Sequence, residues 1–527
     1  MALLGRCAIP GVAAAAALLS GCMLGNINAD ECASDATCEQ TFGLGSTCGP
    51  DGYCSEPAAC ASSIECRSQF GFGTTCNGSS CVLASVDPRC QLSEPDGLLY
   101  ELPGRLGDRL LLGGMFALDV EKHRVRADAT RLAIRQINNI AGGISGRELG
   151  IIICNNDFDG DSSTDATESE ELSEYLGGTL GVPVILGPTS SSSAIATINS
   201  IIQAEQPTAL VSPSATSPQL TDHPDRLDAG DPFGLFWRTC PTDALQGKVL
   251  ARVVGGVQDG VTVVPDGLDS VVVLYQNDAY GSGLHLEFRA EFEGLSSSHS
   301  VSGFSFEVDE SDLASAVANA GSVAPAAVVV ISSDATRTVN VLEEAGQTNG
   351  LLTPQYFLTD GSKDASVLLS NSLTSQAQVF VDAAIGTAPA SPSGVDFNVF
   401  RDDLQNQFGA DASQFSFVAH SYDAAYVGAY GIVYGVSMAA GFTGRDVVDG
   451  FSRLTGGDVA VAVGTSDFSS AVSELSQGRS IDIEGTSGPL DFDTATGEAP
   501  GNIEVWSVDS SGSPKQFQTI TEVLPTD

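Results

Sequence analysis

Between residues 110 and 440 the chain alternates short runs of β-type apolar residues with stretches of helical periodicity, over and over. The apolar runs fall at 110–112, 149–154, 182–186, 208–211, 270–275, 326–331, 355–358 and 379–384, and the helical patterns at 124–140, 192–203, 244–254, 336–344 and 421–440. A strand that is apolar without interruption has no face to give to water, so it must be covered on both sides. A helix after each strand returns the chain to the same edge, which makes the next strand a parallel neighbour. The pattern predicts an α/β architecture of doubly wound parallel sheets, and the 527 residues allow two of them. In open sheets of this kind ligands sit beyond the carboxyl ends of the strands, so the loops there are where chemistry is to be sought.

Upstream, residues 32–81 hold an internal repeat. Cys32, Cys38, Cys48 and Cys54 are echoed by Cys60, Cys66, Cys76 and Cys81, and Phe42-Gly43-Leu44-Gly45-Ser46-Thr47-Cys48 reads again as Phe70-Gly71-Phe72-Gly73-Thr74-Thr75-Cys76. Each unit is too small to bury a sufficient core, and an even set of Cys in an exported chain reads as a disulfide staple. Four Cys allow three pairings, and spacing does not choose among them. Zinc is the competing reading, but the units contain no His and no Cys-x2-Cys spacing. A stapled spacer is the simpler role and a protein-docking module the sharper one. Of the three remaining thiols, Cys90, Cys154 and Cys240, the expected pair is Cys154 with Cys240.

At the amino end a single cation, Arg6, precedes an apolar run that closes on Leu19-Ser20-Gly21-Cys22. This resembles a bacterial lipoprotein signal peptide, with 1–21 removed and the Cys22 thiol carrying lipid. The apolar run is shorter than the ~20 residues of a spanning helix, which disfavours a transmembrane anchor. The expectation is an extracytoplasmic protein, lipid-anchored on the periplasm side of a bacterial membrane or on the outer membrane, with Met23 after the lipidated Cys favouring the latter. Residues 22–90 would form a Cys-rich disulfide stalk with repeats at 32–54 and 60–81. The acid excess, 66 Asp plus Glu against 23 Lys plus Arg for a net charge of −43, argues against nucleic acid and anionic membrane surfaces as partners. Only four Lys occur, at 122, 248, 363 and 515.

Two of the loops after strands are rich in hydroxyls: Gly187-Pro188-Thr189-Ser190-Ser191-Ser192-Ser193 and Ser212-Pro213-Ser214-Ala215-Thr216-Ser217-Pro218. Hydroxyls and free N–H groups at a helix start can receive a carboxylate, although capping and turn formation are the commoner work of Ser and Thr. In the same order along the chain come Phe236-Trp237-Arg238-Thr239, Asp278-Ala279-Tyr280-Gly281-Ser282-Gly283, Tyr422-Asp423-Ala424 and Gly485-Thr486-Ser487-Gly488-Pro489-Leu490-Asp491-Phe492-Asp493. The ordered set resembles the type I periplasmic binding proteins of the branched-chain amino acid (Leu/Ile/Val) class, over about residues 108–510.

The resemblance implies two lobes joined by three chain crossings, near Asp243, 386–388 and 488–493. Lobe 1 would be 108–242 plus 388–490 and lobe 2 would be 243–387 plus 491–510, leaving 511–527 as a C-terminal tail. It implies that Ser191, Ser214 and Thr216 receive the ligand carboxylate, that Tyr280 covers the ligand and that Asp360 holds its ammonium. Two departures bear on specificity. Phe116-Ala117-Leu118-Asp119 replaces a small polar turn, and Ser332-Ser333-Asp334-Ala335 lacks an aromatic. Asp334 is expected to cap the helix that follows it, or else to favour a more polar or cationic ligand.

No P-loop, nucleophile elbow or complete dinucleotide fingerprint is found, and the five His show no metal-ligand spacing. The reading is therefore a non-enzyme without cofactor or metal. Its partners would be a small-molecule ligand, an amino acid first, and an ABC permease that receives it. A sensor with the same lobes and a signalling partner is the alternative, and a surface interaction protein without a small ligand is the second.

Overall fold

The computed structural model describes residues 32–101, 106, 108–158, 166–256, 264, 267–390, 394–439 and 441–523. The signal segment and Cys22 lie outside them. The described chain divides into two compact units: residues up to Ala61 with Cys76–Val82, and Ser62–Thr75 with everything from Leu83 onward.

In the first unit the repeat pairs alternate Cys. Cys32 bonds Cys48, Cys38 bonds Cys54 and Cys60 bonds Cys76, each over a separation of 16 residues. The sulfurs of Cys32, Cys38 and Cys48 converge within 4.8 Å, as metal ligands would. They are spent in disulfides, and a disulfide sulfur is no thiolate. Ser34 starts the helix Asp35–Phe42 by accepting from Thr37 N, and Gly43 at φ 119° ends it.

In the second unit six strands form one sheet: β1 (Cys90–Glu94), β2 (Leu110–Phe116), β3 (Leu149–Asn155), β4 (Val184–Leu186), β5 (Ala209–Ser212) and β6 (Phe236–Arg238). Their order is β1-β3-β2-β4-β5-β6, with all pairs parallel except β1 against β3. Every residue of β2 and β3 is buried, as their unbroken apolar text requires. Helices Glu121–Ala141 and Val418–Met438 pack together over this sheet. A second sheet holds β7 (Ser270–Gln276), β8 (Ser300–Phe306), β9 (Ala327–Ile331), β10 (Gln355–Leu358), β11 (Ile385–Pro389), β12 (Ile503–Asp509) and β13 (Gln516–Val523), in the order β8-β7-β9-β10-β11-β12-β13. Strands β7 to β11 are parallel, while β12 and β13 are antiparallel. Alternation along these strands feeds two separate cores. Val272, Leu274, Val328, Val330 and Leu358 face one, and Val271, Val273, Val329, Ile331 and Phe357 the other. The α/β expectation of two doubly wound sheets holds, with antiparallel strands added at one edge of each.

Several boundaries differ from expectation. The strand expected at 379–384 is the end of helix Ser375–Ala383, and the strand begins at Ile385. Leu490, Phe492 and Ala499 pack with the first lobe and Ile503 and Val505 with the second, so the last crossing falls between Ala499 and Ile503 rather than at 488–493. The expected tail contains β13, held by register pairs from Ile503–Val523 to Asp509–Gln516.

The expected stalk also ends early. Cys90 opens β1 and bonds Cys154 on the neighbouring β3, replacing the expected Cys154–Cys240 pair; Cys240 is a free, buried thiol. Within this same unit, the buried Arg67 of helix Ser63–Phe70 donates to Gly181 O and to Phe442 O and stacks on Phe72 and Phe442. Half of the second repeat is therefore part of the lobed body and not a spacer before it. Among the described residues no helix is long and apolar enough to cross a membrane.

Candidate functional site

The loops after β2, β4 and β5 of the first lobe face the loops after β7, β9 and β10 of the second, as the rule for open sheets requires. From the first lobe Ser191 and Ser214 line the cleft, and from the second Tyr280 and Asp360. Those four of the five expected ligand residues meet at one place. Thr216 is buried behind them, its Oγ1 beside the Asp243 carboxyl, and neither group has a hydrogen-bond partner of good geometry among the described residues.

Each wall is set by local structure. Ser190 caps helix Ser191–Gln203 by accepting from Ser193 N, which places Ser191 at the first turn. The Ser191 hydroxyl accepts from Ser217 N at 3.1 Å, tying the two hydroxyl-rich loops together. Ser214 Oγ donates to Thr189 O at 2.8 Å. Arg238, wholly buried, holds the same loop through Ala215 O at 3.0 Å and Ser217 O at 2.9 Å, so the Phe-Trp-Arg-Thr motif supports the site without entering it. Asp423 is likewise a brace: its carboxylate accepts from the N–H and hydroxyl of both Thr486 and Ser487, at 2.6–2.9 Å. Four donors satisfy a buried carboxylate that would otherwise be costly.

Across the cleft Tyr280 OH lies 2.7 Å from Asp360 Oδ1 and 2.8 Å from Thr359 Oγ1, and Gln246 Nε2 donates to Asp360 Oδ1 at 2.8 Å. Burial raises the Asp360 pKa, while the hydrogen bonds from Tyr280 and Gln246 pull it back. Burial, with the neighbouring Asp360 and Asp243 charges, holds the Tyr280 phenol well above its usual range, so it remains a donor. Asp334 accepts from Thr336 N at 2.7 Å and Arg337 N at 3.3 Å and is the helix cap that its position predicts.

Sequence reading missed a group of cations. Lys122, His123 and Arg126, from the first turns of helix Glu121–Ala141, line the cleft, and so does Arg337 from the opposite lobe. Lys122 Nζ reaches across to donate to Ser333 O at 2.6 Å and Gly361 O at 2.8 Å. Arg126 donates to Ser416 O at 3.0 Å and Ser416 Oγ at 2.9 Å, contacts His123 Nδ1 at 3.2 Å and stacks on Phe417. Burial lowers the Arg126 pKa to about 10, so it stays charged at neutral pH. The His123 ring is pushed well below its usual range by burial and by Arg126 and Lys122, and is neutral. The signal that could have found these residues was rarity: one of only four Lys stands just after the loop that follows β2. With the lobes so placed the cavity is about 30 Å³, room for one or two water molecules.

Comparison with known proteins bears on the fold and the family. The family model described as "Receptor family ligand binding region" matches residues 125–511. Among solved structures, a leucine-binding protein from Thermotoga maritima is similar at TM-score 0.60 and 16% identity, covering 79% of this chain and 99% of that one. A branched-chain amino acid transporter substrate-binding protein from Streptococcus pneumoniae, in complex with isoleucine, gives 0.55 and 17%, covering 78% and 99%. A solute-binding protein of an ABC transporter from Rhodopseudomonas palustris, in complex with p-hydroxybenzoic acid, gives 0.59 and 12%, covering 79% and 97%. No curated protein matches the chain in sequence. Two lobes of the type I periplasmic binding protein fold, and a family model spanning most of both, establish that this chain belongs to the receptor ligand-binding region family.

Proposed function

We propose that this chain is an extracytoplasmic solute-binding lipoprotein, anchored through Cys22, that closes its lobes on a small carboxylate-bearing molecule and delivers it to an ABC permease. The observation that carries the reading is the cleft itself. The hydroxyls of Ser191 and Ser214 on one lobe face the phenol of Tyr280 and the carboxyl of Asp360 on the other. The Ser191 oxygen accepts from Ser217 N, which leaves its O–H to donate to a ligand. Isoleucine and p-hydroxybenzoic acid, named with two of the similar structures, differ in most respects and share a carboxylate. A branched-chain-like amino acid is the first class to test, and simple organic acids the second. Binding proceeds by hinge closure, in which ligand shifts the population toward closed lobes.

The test is the melting temperature of the full chain against the twenty amino acids and a set of aliphatic and aromatic carboxylates. A ligand at 100 times its dissociation constant adds ~2.7 kcal/mol of stability. A rise with one compound that is lost in Ser191→Ala is the expected result, and a flat response across the panel in folded protein overturns the reading. The second reading, a surface interaction protein with no small ligand, is favoured by one observation. Lys122 already bridges the lobes, and the cavity of about 30 Å³ holds little more than water.

A further inference from the structure

Cations in this chain are outnumbered 66 to 23 by acids, so a base without an acid beside it is not explained by scarcity. Yet Lys122 and Arg126, both almost wholly buried, have no carboxylate within 4 Å among the described residues, and Arg337 reaches only Glu310, at 3.9 Å. One guanidinium nitrogen of Arg337 and the Thr189 hydroxyl are also buried without a partner among the described residues. All four side chains line the same cleft. A buried cation left unpaired is costly unless something else completes it. Lys122 finds its partners in two carbonyls of the second lobe, which leaves Arg126 and Thr189 of the first lobe and Arg337 of the second to receive an anion in the cleft.

The other pole is already filled. In the amino-acid reading, the acid of the second lobe holds the ligand's ammonium. Here the Lys122 ammonium lies 2.6 Å from Ser333 O and 2.8 Å from Gly361 O, carbonyls immediately beside Asp334 and Asp360 in the chain. Burial pulls the Lys122 pKa down, with Arg126 adding to the fall, and the acids Asp334, Asp364 and Asp360 act against it in favour of the charge. Each lining acid is engaged through its Oδ1, Asp334 as a helix cap and Asp360 by Tyr280 and Gln246, so it is Lys122 that takes the cation's place beside them. A zwitterion would bring a second ammonium to a place that Lys122 occupies, while its carboxylate would still find Arg126, Thr189 and Ser191.

We infer that the ligand is an organic carboxylate without a free α-ammonium, and that Lys122 supplies from within the protein the cation that an amino acid would bring. This rests on the solute-binding reading and names its ligand class. Opening the hinge breaks the two bonds of Lys122 to the second lobe, and closure over a carboxylate restores them beside the bound anion.

The test uses compound pairs that differ only in the ammonium: leucine with 4-methylpentanoate, phenylalanine with 3-phenylpropanoate, and glutamate with glutarate, titrated calorimetrically into the full chain. Within at least one pair the deaminated acid is expected to bind ten-fold or more tightly than the amino acid. Lys122→Gln should weaken that acid ten-fold or more and bring the amino acid level with it or ahead. An amino acid that binds wild-type protein as tightly as its deaminated partner overturns the inference and leaves the solute-binding reading standing. Silence from every compound, in protein whose melting transition is intact, overturns both. Because the wild-type comparison decides by itself, a variant that fails to fold does not remove the test.

Discussion

At the scale of single residues, the same side-chain types serve two ends, and burial separates them. Ser190 and Ser191 are neighbours in one hydroxyl run and both line the cleft, but the half-buried Ser190 is spent as a helix cap while the buried Ser191 accepts from Ser217 N and keeps its O–H to donate. Asp278, in the motif that leads to Tyr280, is a cap as well: one carboxylate oxygen accepts from Gly281 N and the other from the Gln276 amide, both at 2.7 Å. Burial pushes its pKa up from 3.8 to about 6, against the pull of those donors. A raised folded-state value means that ionisation costs the folded protein more than the unfolded chain. The contribution of Asp278 is therefore fully present below about pH 4 and is lost as pH rises to about 6. Asn caps helices as well as Asp and does not ionise. Asp278→Asn should accordingly lose less melting temperature than wild type between those two pH values, and equal losses would count against the raised pKa.

Strand pairing shows at the element scale how a missing side chain becomes a requirement. Gly386 of β11 lies opposite Trp506 of β12, and a Cβ at 386 would meet the indole ring at 2.1 Å. Trp506 is wholly buried and cannot swing aside into water. Gly386→Ala should destabilise the protein by about 1–3 kcal/mol through overpacking, read as a lower urea midpoint. An unchanged midpoint would mean that the strand pair gives way more easily than its close packing implies. Strands with unbroken apolar text, such as 149–154 and 326–331, were legible in the sequence because continuous apolarity is itself the mark of a doubly covered strand. The strand Gln516–Val523 was not: its three apolar residues, Phe517, Ile520 and Val523, neither run together nor alternate, and at a sheet edge half its side chains face water.

For the molecule as a whole, charge and fold pull against each other. A net charge of −43 repels itself at close quarters, whatever keeps it soluble. Added salt shortens the reach of that repulsion, to roughly 10 Å at about 0.1 M. The melting temperature of the full chain should therefore rise by at least about 2 °C between roughly 20 mM and roughly 500 mM NaCl. A flat or falling curve would show that the repulsion is already relieved in the folded state. The cleft is less acidic than the chain around it, its lining setting Lys122, Arg126 and Arg337 against Asp334 and Asp360, and in the proposed reading that contrast would favour the approach of an anionic ligand.

Alternating strand and helix signals determined the fold class, and the order of short motifs along the chain led to four of the residues that line the cleft, because both are local properties of the text. Tertiary structure alone decided the disulfide partner of Cys154, since a repeat pattern says nothing about which thiols a sheet brings side by side. It decided the last chain crossing, which depends on which core Ala499 and Ile503 join. It decided too that Lys122 and Arg337, 215 residues apart, share a cleft. Charge complementarity is a relation across space, and spacing along a chain does not encode it until the lobes face each other.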